Sequence, residues 1–434
     1  MHLRNVLVIN AHSCRNAGDM ALLQVAIDQI RRLGKVDNII ISLDDLDYYP
    51  GRERIVGSLF TWIKQGGRWH INRLLYLSVS AIASILSYRY LKHTLFFPMP
   101  YEWRETIEAY LQADVVFTKP GGFLYSSGRG LSLVLSLYSM LLALLAGKPL
   151  YVFPQSIGPL RYPWERILIR FIFSKARIGF VREPVSQITL QECGLQPEKF
   201  RLVPDMAFAF HSASANEAKE WLRNFEGIDM DSQEQPLMGI TVVNWGGQNK
   251  NFRFQQRYED ACTAAIRLFL EKFQGKVFFF PQVCGPLDIQ DDRVIARKIR
   301  GRLSNSTRCV VLEKQPPPQI LKTLYGFMDV FIATRLHSAI FAWSQGIPTI
   351  AISYQPKTRG VAQMLGLEDW VIRIEDITSE SLSDTLTALW EMRESLKAHL
   401  QQVIPNLIKQ IDSIGDWIAQ DLEELANAHK NQSS

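Results

Sequence analysis

Short apolar runs recur along this chain, each leading through a polar loop into residues with helical apolar spacing. The series starts over past the midpoint. The first set is Val6–Asn10, Ile39–Leu43, Asp114–Thr118, Pro149–Phe153, Ile178–Val181 and Phe200–Val203. The second is Leu237–Val243, Val277–Phe280, Cys309–Leu312, Val330–Ala333, Thr349–Ser353 and Val371–Ile374. Continuous apolar strands alternating with helices belong to parallel sheets covered on both faces. The chain is therefore expected to be α/β, with two doubly wound, Rossmann-like domains facing one cleft. An internal echo supports the doubling: Phe153-Pro-Gln-Ser-Ile-Gly-Pro-Leu160 recurs as Phe280-Pro-Gln-Val-Cys-Gly-Pro-Leu287. The expected division is 1–211 for the first domain, 212–236 for a polar linker, 237–378 for the second domain and 379–434 for terminal helices.

At 434 residues the chain is long enough for two cores, and 47% hydrophobic with 21% charged residues describes a globular protein. A net charge of +5 favours anionic small molecules or surfaces and is too small to argue for nucleic acid. The five cysteines, Cys14, Cys193, Cys262, Cys284 and Cys309, lack metal or redox spacing, which fits reduced thiols in a cytoplasm. The start lacks signal-peptide character, and no apolar run reads as membrane-spanning; Leu131–Ala146 comes nearest and reads as a buried helix. Residues Arg54 to Tyr101 contain no Asp or Glu, yet carry Arg54, Lys64, Arg68, Arg73, Arg89 and Lys92 around the apolar stretch Leu74–Leu86. Trp62, Trp69, Tyr76, Tyr88 and Tyr90 flank it. Either this is a buried helix with solvated basic ends, or it makes a peripheral membrane contact or meets a lipid-diphosphate acceptor.

In open α/β sheets ligands bind past the carboxyl ends of the strands. Arg335 and His337 fall there, between the strand Val330–Ala333 and a helix over Ser338–Gln345 that Gly346 and Pro348 stop. A guanidinium, an imidazole and a helix start make an anion site. Lys357 and Arg359 follow the next strand. The other loops bring Asp19, Gly121, Gly122, Gln155, Arg182 and Asp205 from the first domain, and Asn244 and Gln282 from the second. Singly each has a plainer reading: Asp19 as a helix N-cap, the glycine pair as a tight turn, His337 as a capping or core residue, an arginine as an ion-pair partner. There is no G-x-G-x-x-G, Walker lysine, Gly-x-Ser-x-Gly or cluster with metal spacing, so acid–base chemistry on an anionic small molecule is the expectation, with no metal and no cofactor.

The motifs Asn16-x-Gly18-Asp19-x-Ala-Leu-Leu, Gly121-Gly122-x-Leu, Pro154-Gln-Ser-Ile-Gly-Pro, Arg182-Glu-x-x-Ser and Pro204-Asp-x-Ala-Phe resemble, in order, those of the polysaccharide pyruvyl transferase family. So does Arg335-Leu-His-x-x-Ile-Phe-Ala with its Gly-Ile-Pro and Ile-Ser-Tyr-x-Pro-Lys continuation. Glu183 stands where the family usually has Asp, and Pro120 where a third glycine is common. The resemblance implies a GT-B-like architecture and transfer of pyruvate from phosphoenolpyruvate to two sugar hydroxyls as a cyclic ketal, releasing phosphate. The acceptor would be a polysaccharide or its lipid-linked precursor. The enzyme would work in the cytoplasm or peripherally at the inner face of the membrane. It implies that Arg335, Leu336 and His337 contribute to the phosphoenolpyruvate site. In this reading Arg182, Arg335 and Lys357 hold the phosphate and carboxylate, Arg359, Gly121, Gly122, Gln155 and Asn244 line the substrate, His337 is the general acid, and Asp19 or Asp205 takes the hydroxyl proton. The alternatives are a GT-B glycosyltransferase using a nucleotide sugar and a non-catalytic glycan-binding member.

Overall fold

The computed structural model describes residues 2–433 apart from 66, 67, 70, 94, 98, 127–130, 250, 286, 304 and 305. Pro286, in the second copy of the Phe-Pro-Gln echo, lies outside the described residues, as do the side chains of Trp62, Lys64, Arg68 and Trp69. The chain forms two compact units, one of Met1–Cys14, Leu22–Met206 and Lys409–Ser434, the other of Arg15–Ala21 and Ala207–Ile408.

The first unit is built on β1 (His2–Ala11), β2 (Lys35–Leu43), β3 (Arg54–Gly57), β6 (Val115–Thr118), β7 (Gly121–Leu124), β8 (Leu150–Ile157), β9 (Ile178–Val181) and β10 (Phe200–Leu202), with a small antiparallel pair, β4 (Lys64–Gln65) and β5 (Arg68–Trp69), set apart. Its strands run parallel in the order β10-β9-β8-β6-β1-β2-β3, with β7 beside β8. The connections β3→β6, β6→β8 and β8→β9 all step the same way along the sheet. Right-handed crossovers therefore put the helices Ile71–Leu91, Tyr101–Gln112, Leu131–Leu145 and Pro163–Lys175 on one face. The step β1→β2 goes the other way and puts Ala17–Arg32 on the opposite face. There Trp417 stacks on Phe180 at 6.0 Å, and Arg177 and the Tyr151 hydroxyl both donate to Asp421.

Three expectations change here. The acid-free segment opens with an unforeseen strand, β3. The pair Gly121-Gly122 is strand rather than turn, with Gly121 in register with Gln155. Finally, the helix Asn72–Leu91 is long and apolar enough to cross a membrane by length and composition. Its serines and tyrosines break the apolar run that the eye follows, without lowering its average. One of its faces, Leu77, Ala81 and Ile85, is nevertheless packed into the core of the first unit.

The second unit holds β11 (Leu237–Thr241), β12 (Lys276–Phe279), β13 (Cys309–Val311), β14 (Val330–Ala333), β15 (Thr349–Ser353) and β16 (Val371–Arg373), all parallel, in the order β13-β12-β11-β14-β15-β16. This is the dinucleotide-fold order with its switch point between β11 and β14. The expected linker is an integral part of this unit. The helix Ala215–Glu226 is capped by Ser214 and Glu217, ends at left-handed Gly227, and buries Ala218 and Leu222. Of the terminal helices, Ser379–Glu391 belongs to the second unit, where Trp390 packs on Phe269 and Phe273, while the helix Arg393–Ser433 passes from the second unit to the first at Lys409.

Candidate functional site

The second unit's switch point is held by a buried hydroxyl network. Thr241 Oγ1 lies 2.8 Å from Ser338 Oγ and accepts from the Thr334 amide at 3.2 Å. The Tyr258 hydroxyl lies 2.8 Å from Thr334 Oγ1 and accepts from the Val243 amide. Ser338 Oγ donates to the Arg335 carbonyl at 2.7 Å. With the strand ends fixed, Arg335 is the N-cap residue of the helix Leu336–Ser344. Its Nε and Nη2 donate to both oxygens of Asp292, at 2.6 to 3.1 Å. Asp292 also accepts the amides of Gln282 and Val283 at 3.1 and 3.0 Å, which fixes the carboxylate before the arginine meets it. Burial works to discharge the guanidinium, and the Asp292 charge outweighs it, so the Arg335 pKa is raised and the cation is permanent. The bonds to Asp292 engage Nε and Nη2, and Nη1 is not among them.

His337 follows two residues on, in the first turn of that helix. The loop from the start of the chain is packed onto it. A Cβ at Gly18 would fall 2.1 Å from His337 Nδ1 and 2.2 Å from Cγ, so only glycine fits against the ring. The Ala17 amide donates to the Gln282 carbonyl at 3.2 Å, Asn16 bridges to Val283, and Gln315 Nε2 donates to the Arg15 carbonyl at 2.8 Å. Asn16 caps the helix Ala17–Arg32 through the amides of Gly18 and Asp19. Asp19 is therefore not the cap but a first-turn carboxylate, placed by the same loop that meets His337. Lys357 lies in the first turn of the helix Pro356–Leu365 and is half-buried; Arg359 is exposed. Leu336 is buried and packs rather than presents a group. Asn244 is engaged as a cap, accepting from the Gly247 amide at 2.9 Å. What its loop presents is Trp245, whose ring centroid lies 4.4 Å from that of Tyr354. Burial pushes the nearby Cys284 thiol up to about 12, which leaves it a thiol at neutral pH. Among the described residues no group of three or more His, Cys, Asp or Glu is placed to hold a metal ion.

The first unit corrects the reading of Arg182 and Asp205. Arg182 is 1% exposed and Asp205 0%, with Nη1 donating to Oδ2 at 2.6 Å. Arg182 Nε donates to Ser156 Oγ at 2.7 Å, Ser156 donates to Glu183, and Glu183 also accepts from Ser186, whose oxygen receives the Ile157 amide. These motif residues form a closed polar core that locks β8, β9 and the segment after β10 together; neither offers a surface for holding substrate or taking a proton. Gln155 is likewise fully buried, donating to the Lys119 carbonyl at 2.6 Å. A Cβ at Gly121 would meet only ordinary contacts, 3.4 Å from the Phe123 ring. Sequence reasoning missed a pair at the carboxyl ends of β1 and β2: His12 Nδ1 lies 2.6 Å from Asp44 Oδ2, both half-buried. The signal was available, since His12 and Asp44 each follow adjacent parallel strands. It also missed Asp292, whose position at a helix start reads as an ordinary cap.

The solved structures of similar fold include UDP-GlcNAc 2-epimerase from Neisseria meningitidis bound to UDP-GlcNAc (TM-score 0.58, 12% identity, covering 97% of this chain and 100% of that one). They also include HepE from Anabaena in complex with UDP-glucose (TM-score 0.55, 13% identity, covering 98% and 100%). At such identity they show the fold, two Rossmann-like α/β units. The amylovoran biosynthesis protein AmsJ of Erwinia amylovora is 24% identical over 427 residues, covering 96% of this chain and 98% of that protein. The model of the polysaccharide pyruvyl transferase family matches residues 16–356, a span that runs from the Asn16 cap through Asp292 and Arg335-Leu336-His337 to the start of the Lys357 helix. The chain belongs to the polysaccharide pyruvyl transferase family.

Proposed function

We propose that this protein transfers the pyruvyl group of phosphoenolpyruvate to two hydroxyls of a sugar, as a cyclic ketal, in making an exopolysaccharide or its lipid-linked precursor. Family membership supports the reaction class, and the relative named for amylovoran biosynthesis supports the pathway class. The observation that carries the reading is the Asp292-oriented Arg335 beside His337, with the Gly18 loop closed on the imidazole. Phosphoenolpyruvate carries a carboxylate and a phosphate on one small carbon frame. A fixed, permanently charged guanidinium suits either group in planar, directional fashion.

The chemistry needs a proton at the methylene carbon. His337 delivers it, since imidazole titrates near neutrality. The neighbouring carbon becomes an oxocarbenium, and the first sugar hydroxyl adds its oxygen there and loses its proton, which Asp19 accepts. The carbon–oxygen bond to phosphate then breaks, inorganic phosphate leaves, and the second hydroxyl closes the ketal, its proton passing to the imidazole that His337 left neutral in the first step. Arg335 and Lys357 hold the phosphate and carboxylate, so charge is neutralised as the leaving group departs. The facing rings of Trp245 and Tyr354 offer an apolar wall beside this anion site.

The test is phosphate release from phosphoenolpyruvate in the presence of candidate sugar diols, with thermal stabilisation by each donor measured alongside. Phosphoenolpyruvate should stabilise the protein and UDP-sugars should not. Stabilisation by a UDP-sugar alone would replace this reading with a nucleotide-sugar transferase. Absence of any phosphate release across acceptors that do bind would leave a non-catalytic glycan-binding member.

A further inference from the structure

The helix Pro163–Lys175 is apolar on two faces. Its inner residues Ile169, Ile172 and Phe173 are buried in the core of the first unit. Its outer stripe, Trp164, Ile167, Leu168 and Phe171, follows i, i+3, i+4, i+7 spacing and faces solvent, with Ile167 67% exposed. Tyr162 stacks on Trp164 at 6.0 Å where the helix begins. The helix Ile71–Leu91 repeats the arrangement, with Leu77, Ala81 and Ile85 inside and Leu75, Tyr76 and Val79 outside, Val79 65% exposed. Both helices pack against Leu131–Leu145 on the same face of the sheet. A monomeric surface rarely leaves two such stripes, both on helices packed against Leu131–Leu145, without a partner.

The charge around them decides which partner. Arg166, Arg170 and Lys175 on the first helix are exposed, while its only carboxylate, Glu165, is buried and accepts the Arg161 and Tyr162 amides. No Asp or Glu occurs from Arg54 to Tyr101, around the second helix. On the neighbouring helix Tyr101–Gln112, Glu105 and Glu108 pair with Arg54 and Arg104, which leaves the exposed Glu102 as one carboxylate against the several cations. A two-fold dimer through this face would set cations against the same cations. An anionic leaflet complements them.

We propose that this face of the first unit docks on an anionic lipid bilayer. The two outer stripes sit at the headgroup–acyl boundary, Tyr162 and Trp164 sit at the interface, and the basic side chains rest on lipid phosphates. The inference stands independently of the reaction proposed above, and a lipid-linked acceptor would be met at such a surface.

The experiment is co-sedimentation of the full chain with vesicles of phosphatidylcholine, with or without phosphatidylglycerol. The expected result is binding to the anionic vesicles that exceeds binding to the neutral ones and falls with salt. Arg166→Gln with Arg170→Gln should weaken it about thirtyfold, at roughly 1 kcal/mol per cation near such a surface. Ile167→Ser with Phe171→Ser should abolish it while thermal stability is kept, because the removed side chains face solvent. Failure of the wild-type chain to bind, or equal binding to both vesicle types, would overturn the proposal. So would a wild-type dimer that Phe171→Ser dissociates with no change in vesicle binding, which would make the face a protein interface.

Discussion

Replacing Gly18 by alanine probes the closest approach in the candidate site. The new methyl would sit 2.1 Å from His337 Nδ1, where ordinary contact begins near 3.4 Å, so the ring or the loop must yield by about 1.3 Å. Overpacking of that kind costs about 1–3 kcal/mol. Against it stands the helical gain of alanine over glycine, up to about 1 kcal/mol, because Gly18 lies in the first turn of Ala17–Arg32. The net is destabilising in the wild-type background. In a His337→Gly background both the ring and the Cβ, which lies 2.5 Å from the new methyl, are gone, the cost disappears and the helical gain remains, so the sign reverses. Urea unfolding of the four proteins in this double-mutant cycle needs no substrate and should give a coupling of about 1–3 kcal/mol. In phosphate release, Gly18→Ala alone should lose about a hundredfold in kcat/KM, the usual consequence of displacing a catalytic group by 1 Å. Additive stabilities, or a Gly18→Ala enzyme with wild-type turnover, would refute the packing of this loop on His337.

His337→Ala should lower turnover by about 10²–10⁴ while binding of phosphoenolpyruvate, followed by calorimetry, is kept; unchanged turnover would remove the general-acid role. Asp292→Ala leaves the largely enclosed Arg335 without its counter-charge and should cost up to about 3–5 kcal/mol in urea unfolding, as should Asp205→Ala beneath Arg182. The buried Lys322, which donates to the Phe208 and Phe210 carbonyls, has its pKa lowered to about 7 by burial. The unfolded chain then binds a proton that the folded chain lacks between about pH 7 and its ordinary 10.5, so this lysine's contribution to stability rises with pH across that window, by at most about 1.4 kcal/mol per pH unit, and is lost as pH falls toward 7. Lys322→Met should remove that slope from stability curves measured at pH 7 to 9; an unchanged slope would refute the shift.

The second sheet was the more legible half. Val330–Ala333 and Thr349–Ser353 are buried on every residue, and a continuous apolar run bounded by turn residues is what such a strand looks like in sequence. Arg335 and His337 then followed from topology alone. Pro154-Gln155-Ser156 misled in the opposite direction. Its polar residues belong to a buried strand because Arg182, Glu183 and Ser186 satisfy them, and partners that far along the chain leave no periodic trace. Arg182 and Asp205 shared that fate, since a loop arginine at a strand end reads the same whether it faces a ligand or a carboxylate. The meeting of Gly18 with His337 spans most of the chain and depends on a close approach that no local pattern encodes.

The order in which these pieces leave the ribosome follows from the same assignment. The strands of the first unit are all synthesised by Leu202, but Trp417 and Asp421, which cover Phe180 and Tyr151, arrive among the last residues. The second unit, conversely, takes Arg15–Ala21 from the start of the chain. Neither half can be finished from a contiguous segment, so vectorial, domain-by-domain folding is closed to this chain. The nascent first sheet must wait with an aromatic face bare, which makes it a natural client for a holding chaperone, and a premature stop before Trp417 should yield an aggregating product rather than a shortened enzyme.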